Sequence, residues 1–344
     1  MNEEITLNKN SSFYLNENNK KKNYIQVLRG IAILGVVLIH AISSIKNNNI
    51  NVFLRQFINY SVPLFLFISG YLITSEKFNN KDYIKSFYKK RFLRIGIPYL
   101  VFSLIAFILN DNLRHISLAK KIFYLLIGQA NSIYYYIIVY LQLIVLTPLL
   151  VKLINKINPI FIYFLSFLTI LFEYCLILLN KPLPFPYNVL SFTTWILFYY
   201  MGIIMKNTKS ININIKNTII LTISMLILSI VEGFIWFNSF NNMSIAVSQT
   251  KITSFLFSYF FIKVLMYYKD SLNNRILKFI GDNSFGIYLI HTFIMQRFIK
   301  FFPYYNDIIN LLATAIISLL ISLLIIVIVK KVFGKKYASI IFGF

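Results

Sequence analysis

Ten stretches of roughly 20 mostly apolar residues recur along this chain, and that repetition decides what it can fold into. They fall at about 25–45, 52–75, 92–109, 133–151, 157–179, 187–205, 217–235, 252–268, 283–301 and 308–333. A helix of about 20 residues crosses the roughly 30 Å of hydrocarbon in a bilayer. There every backbone N–H and C=O must be satisfied within the protein, which a helix does alone. Of the 344 residues, 58% are hydrophobic and 13% charged, too little polarity to cover a soluble domain of this length. The expected fold class is all-α: a polytopic membrane helix bundle with about ten transmembrane helices and the lipid bilayer as its first partner.

The formal net charge of +23 suggests a polyanion partner until its placement is read. With the N-terminus in the cytoplasm, most Lys and Arg fall on the inner side, in Lys20 to Lys22, Lys77 to Arg94 and Lys330 to Lys336. That is the positive-inside bias. Arg114, Lys120 and Lys121 run against it. The charge is therefore read as topological, with no nucleic acid as partner. An even number of spans puts both termini in the cytoplasm of a multi-pass plasma-membrane protein. Residues 1–22 read as a polar, disordered cytoplasmic tail with no cleavable signal, 23–336 as one transmembrane domain, and 337–344 as a short C-terminal tail. The connections leave no room for a soluble catalytic domain, so any chemistry belongs to the spans and their loops. Cys175 is the only cysteine, and His40, His115 and His291 are dispersed, so no metal site is expected.

Ionisable residues inside apolar runs are expensive and mark function or a structural polar network. The run "VLRGIAILGVVLIHAISS" (27–44) holds two, Arg29 and His40. Eleven residues turn a helix by about 1,100°, three turns plus about 20°, and climb about 16 Å. Both side chains therefore share one stripe, with Val36 between them and Ile33 and Val37 beside it. Taken singly, Arg29 reads equally well as a snorkelling anchor, and a lone buried His more often belongs to a hydrogen-bond network. The shared stripe favours a common cavity. Glu173 and Glu232 come out at a depth similar to His40, and a carboxylate there would fix the histidine tautomer. Arg91 and Arg94, three apart on one helix face, present two guanidinium forks that suit a phosphate; an ordinary basic flank on anionic lipid is the blander reading. Arg55 reads as a polysaccharide contact or an anchor.

These segments resemble the acyltransferase 3 family of integral membrane acyltransferases. "LRGIAILGVVLIH" is similar to its opening signature, a basic residue and a histidine separated by ten others. "SVPLFLFISGYLI" (61–73) resembles its second span and "KKRFLRIGIPYL" (89–100) its Arg-x-x-Arg third. "IYYYIIVYLQLIVLTPLL" (133–150) resembles its aromatic fourth span, and "GDNSFGIYLIHTFIM" (281–295) its late histidine segment. The motifs occur in family order from residue 25 to about 300. Where the family often has His and Trp before the fourth-span aromatics, Ser132 and Tyr134 stand here.

The resemblance implies an enzyme transferring groups other than amino-acyl groups: an acetyl, or succinyl, moves from acyl-CoA to a hydroxyl of a surface carbohydrate or lipid-linked glycan. Acetyl-CoA is the expected donor, with polysaccharide-synthesis proteins as co-operating partners. It implies His40 as catalytic histidine, acting as general base or acyl relay, with Arg29 as its signature partner. Arg91 and Arg94 are implied for the CoA phosphates, with Arg29 beside them at the inner end, and His291 as either a structural or a cavity-lining residue; Tyr135 and Arg55 are further cavity candidates. Glu173 and Glu232 remain as acidic partners suggested by depth. A sugar transporter or flippase would also bury Arg, His and Glu, but its inverted repeats are not found in the sequence. A scaffold would need neither the Arg pair nor the buried histidine.

Overall fold

The computed structural model describes residues 23–208, 213–302 and 304–344. The tail expected over 1–22 lies outside the described residues. Every regular element among those described is a helix. Helix α1 is Asn23–Ala41. It is followed by α2 (Asn48–Ile58), α3 (Ser61–Tyr71), α4 (Lys81–Leu109), the single turn α5 (Asp111–Arg114), α6 (Leu118–Ile127), α7 (Tyr135–Lys152) and α8 (Pro159–Leu178). The chain continues through the single turn α9 (Tyr187–Leu190), α10 (Phe192–Asn207), α11 (Ile215–Asn238), the single turn α12 (Met243–Ala246) and α13 (Ile252–Tyr267). It ends with α14 (Arg275–Asp282), α15 (Ser284–Phe301) and α16 (Asp307–Ile341).

Local sequence sets many of the starts. Asn47, Asn80, Asn158, Asn214, Asn274 and Asn306 each cap a helix, their side chains accepting from backbone N–H groups one turn on. Such caps satisfy donors that a helix start leaves open. The abundant asparagine of this chain thus has a structural use that composition does not reveal.

Eight helical segments are long and apolar enough to cross a membrane, α2 and α3 together forming one of them. The other two expected spans are helices too, but differ in kind. Helix α13 has only 16 residues. Helix α15 carries His291, Gln296, Arg297 and Lys300, which lower its apolarity. The expected start of the third span moves as well. Helix α4 begins at Lys81, so Arg91 sits about three turns inside a 29-residue helix instead of at its mouth. At the other end, α16 continues beyond a break at Gly334 (φ 73°) into residues 337–344, expected as a short C-terminal tail, and Phe344 is buried beside Phe102.

The bundle has a centre and a periphery. The apolar windows of α1, α2–α3 and α10 are 61, 61 and 67% buried, those of α8 and α11 only 17 and 22%. The outer helices turn Phe161, Phe172, Ile220 and Leu320 outward, as a lipid-facing surface requires. Two glycine crossings bring the central helices together. A Cβ on Gly70 of α3 would lie 1.9 Å from the Tyr199 carbonyl, and one on Gly202 of α10 2.2 Å from the Phe67 carbonyl. At the second crossing, a Cβ on Gly30 of α1 would meet the Leu277 carbonyl at 2.2 Å, and one on Gly281 of α14 the Gln26 carbonyl at 1.8 Å. Only hydrogen fits there, and close backbone approach of this kind drives helix association in membranes.

The α1–α14 crossing fixes how far α15 rises beside α1. Helices α14 and α15 are almost continuous through Asn283. His40 lies ten residues beyond Gly30, and His291 ten beyond Gly281. Ten residues climb about 15 Å on each helix, so the two histidines rise to one level.

Candidate active site

His40 and His291 meet at that level, their ring centroids 5.4 Å apart and the planes tilted by 52°. His291 is fully buried. Its Nδ1 lies 2.9 Å from both the Ile287 and the Tyr288 carbonyl oxygens. Carbonyls only accept, so Nδ1 carries the proton and Nε2 keeps its lone pair. That Nε2 is buried and has no hydrogen-bond partner among the described residues. The stretch before α7 is bolted to the same helix. Tyr134 Oη donates to the Leu289 carbonyl at 3.0 Å, Tyr288 Oη to the Ile133 carbonyl, and Asn131 Nδ2 to Thr292 Oγ1 at 2.9 Å. His291 is thus held on a rigid support.

From the histidines a column of aromatic rings runs to the arginines. Tyr288 lies 6.4 Å from His291, Tyr136 lies 5.7 Å from Tyr288, and Tyr140 stacks on Tyr136 at 6.1 Å. Arg91 Nη1 donates to Tyr140 Oη at 3.3 Å. Arg29 is within electrostatic reach of Tyr140, Tyr136, Arg91 and Arg94. The three arginines expected together therefore converge at one end of the column, with Arg29 and Arg91 half-buried and Arg94 exposed. Among the described residues no carboxylate forms an ion pair with this cluster.

The stripe between Arg29 and His40 differs from its expected form. Ile33, Val36 and Val37 are at most 4% exposed and belong to the packed core. The open surface lies instead along Tyr136 and Tyr140, both only half-buried. Helical periodicity fixes which residues share a face, but what lies against that face is decided by neighbouring helices.

The two acidic residues go elsewhere. Glu232 accepts from Tyr174 Oη at 2.5 Å, from the Thr253 N–H at 3.1 Å and from the Thr253 hydroxyl. Glu173 lines a groove between α8, α10 and the chain joining them. Matching depth does not imply adjacency in a bundle, and the ring set against His40 is His291. Arg55 is buried, its Nε and Nη2 both donating to the Val247 carbonyl at 3.2 and 2.9 Å. It stands within electrostatic reach of both His40 and Tyr135, which places all three on the histidine side. Tyr135 itself is half-buried, edge-on to Phe185 at 5.7 Å.

Lys251 carries no mark of importance in the sequence. It is fully buried, and its Nζ reaches Gln56 Oε1 at 2.5 Å, Ser254 Oγ at 3.0 Å and both Ser229 oxygens at 3.2 Å. With Asn59 donating to Ser248 and Ser254, this network clamps α2 to α11, α13 and the loop before α13. The one signal that could have found it is a lysine ending the polar run "SQTK" at the mouth of an apolar segment. Tyr136, Tyr140 and Tyr288 are likewise hidden within an aromatic-rich composition. Among the described residues there is no group of three or more His, Cys, Asp or Glu that would hold a metal ion.

No curated protein matches the chain, and no solved structure matches it. Residues 22–330 do match the model of the acyltransferase 3 family, described as an acyltransferase domain. That span contains the arginine cluster, the tyrosine column and the histidine pair, and the chain belongs to this family of acyltransferases.

Proposed function

We propose that the protein is a plasma-membrane O-acyltransferase that moves an acetyl or succinyl group from cytoplasmic acyl-CoA to a hydroxyl of a carbohydrate or lipid-linked glycan. The observation that carries this reading is the cluster of Arg29, Arg91 and Arg94, without an ion-pair partner among the described residues and joined by a tyrosine column to the His40–His291 pair. Guanidinium groups without carboxylates favour phosphate, which they bind by charge-assisted, bidentate hydrogen bonds. The positive-inside rule puts this end of the bundle, and both termini, in the cytoplasm, where acyl-CoA resides. The phosphates of CoA would be held there, with the pantetheine arm along the half-buried faces of Tyr140 and Tyr136.

His40 is then the general base. It takes the proton of the acceptor hydroxyl as the oxygen attacks the thioester carbonyl, forming the C–O bond of a tetrahedral intermediate. Collapse breaks the C–S bond, and the proton on His40 passes to the leaving thiolate. His291 supports this by its fixed tautomer: Nδ1–H is committed to the helix backbone, so Nε2 accepts a proton or hydrogen bond from the reacting side. Arg55, held on the Val247 carbonyl, adds positive potential near the developing oxyanion.

The test is release of free CoA from acetyl-CoA and succinyl-CoA by protein in lipid nanodiscs, with native membrane extract as acceptor. Wild-type release abolished by His40→Ala supports the reading. Release unaffected by that substitution removes His40 from the chemistry, and transport of glycan without thioester consumption would favour the flippase.

A further inference from the structure

We propose that the groove between α8, α10 and their connecting chain is a binding site for a neutral, polyhydroxylated head group, the saccharide part of a membrane-borne acceptor. Its assignment to the acceptor rests on the acyl-transfer reading above. The groove has a volume of about 390 Å³, inside the roughly 300–1,000 Å³ usual for small-ligand sites. Its polar lining is Thr169, Glu173, Tyr187, Ser191 and Thr193, beside Phe172.

Glu173 is the feature that calls for a ligand. It is half-buried within a helix long and apolar enough to span a membrane, yet it makes no hydrogen bond or ion pair with any described residue. Charged groups at such depth ordinarily pair with protein groups. None of the hydroxyls that line the groove is bonded to it. Thr169 Oγ1 donates to the Leu165 carbonyl, and the Ser191 and Thr193 hydroxyls bond each other at 2.6 Å. Both oxygens of its carboxyl group can accept, and these hydroxyl oxygens add more acceptors. The complementary ligand therefore brings several donors.

Charge narrows the class. No Lys or Arg lines the groove, so nothing there would neutralise a phosphate. A sugar ring brings hydroxyl donors without charge, and apolar C–H faces that suit aromatic surfaces. Phe172 and Tyr187 are 58 and 44% exposed and provide them. The groove also adjoins the histidine side. Phe185, in the chain that leads to Tyr187, packs edge-on against Tyr135, and Tyr135 stands beside Arg55. One short segment thus walls both the groove and the candidate active site.

The probe is dodecyl maltoside, a disaccharide on an alkyl tail, added to full-length protein in phosphatidylcholine nanodiscs. Saturation-transfer NMR reads contact with its sugar protons, for wild type, Glu173→Gln and the groove-filling Leu183→Trp. Leu183 is 40% exposed, so the larger ring adds bulk without repacking the core. Replacing one carboxyl oxygen by an amide NH2 should weaken binding about tenfold in Glu173→Gln, and Leu183→Trp should abolish it. Equal signals from all three proteins, matched for melting temperature, overturn the site. So does equally strong competition by dodecylphosphocholine, which would make the groove a lipid head-group contact. CoA release from acetyl-CoA with native membrane extract as acceptor, followed in the same samples, separates this site from the reading it rests on: no release by the wild type would sink acyl transfer and leave the binding result standing.

Discussion

Replacing Gly281 by Ala tests whether the helix crossing sets the active-site register. The new Cβ would lie 1.8 Å from the Gln26 carbonyl oxygen, 2.7 Å from its carbon and 2.9 Å from the Gly30 nitrogen. All three are backbone atoms of α1, so no side chain can swing aside. To reach even 3.0 Å the helices must part by about 1.2 Å at this point. The movement passes up α14–α15 and displaces His291 from His40, about 15 Å away along the helix. Overpacking of this size costs about 1–3 kcal/mol in stability. A misplacement near 1 Å at reacting groups costs on the order of 10²-fold in rate. The matched control is Gly96→Ala in α4, where a Cβ meets nothing within 4 Å. That change should be neutral or stabilising by about 0.5–1 kcal/mol, because alanine loses less entropy in a helix. The assay is acyl-CoA turnover per folded molecule, with thermal unfolding by fluorescence in the same nanodiscs. If Gly281→Ala matched Gly96→Ala in both, the crossing would not govern the histidine pair.

The two ends of the tyrosine column should separate kinetically. Arg91→Ala should raise the apparent KM for acyl-CoA about tenfold or more with a smaller effect on kcat, since it removes donor binding far from the histidines; steady-state kinetics separates the two. Tyr140→Phe removes the acceptor of the Arg91 hydrogen bond and should shift the same KM by a smaller factor, about two- to fivefold, or about 0.5–1 kcal/mol. His291→Asn should lower kcat while leaving KM for acyl-CoA close to wild type, because it alters the histidine end alone. Lys251→Met removes the donor shared by Gln56, Ser229 and Ser254 and should reduce stability by about 1–3 kcal/mol, read as a lower melting temperature.

The polar network around Lys251 also shows why sequence does not select an acidic partner for His40. Depth is the only link that the sequence offers between that histidine and Glu173 or Glu232, and every helix in the bundle shares that coordinate. In the structure Glu232 holds Tyr174 and Thr253, fastening α8 to α11 and α13, while Glu173 faces a separate groove. Lys251 is inconspicuous because a lysine flanking an apolar run is usually a headgroup anchor, and only burial distinguishes it.

What the sequence alone determined is local or one-dimensional. Apolar run length specified a membrane bundle, because backbone satisfaction in hydrocarbon leaves a helix no alternative. The eleven-residue spacing put Arg29 and His40 on one stripe, because helical geometry is invariant. The Arg91–Arg94 pair, and its membership of one cluster with Arg29, were also legible from spacing and family pattern. Tertiary structure decided the rest. That His291 faces His40, that tyrosines from α7 and α15 fill the space between histidines and arginines, and that Arg55 is bound to Val247 depend on which helices touch. Those contacts arise where small residues let backbones approach, as at Gly30 and Gly281, and such complementarity between distant segments leaves no periodic trace in either one alone.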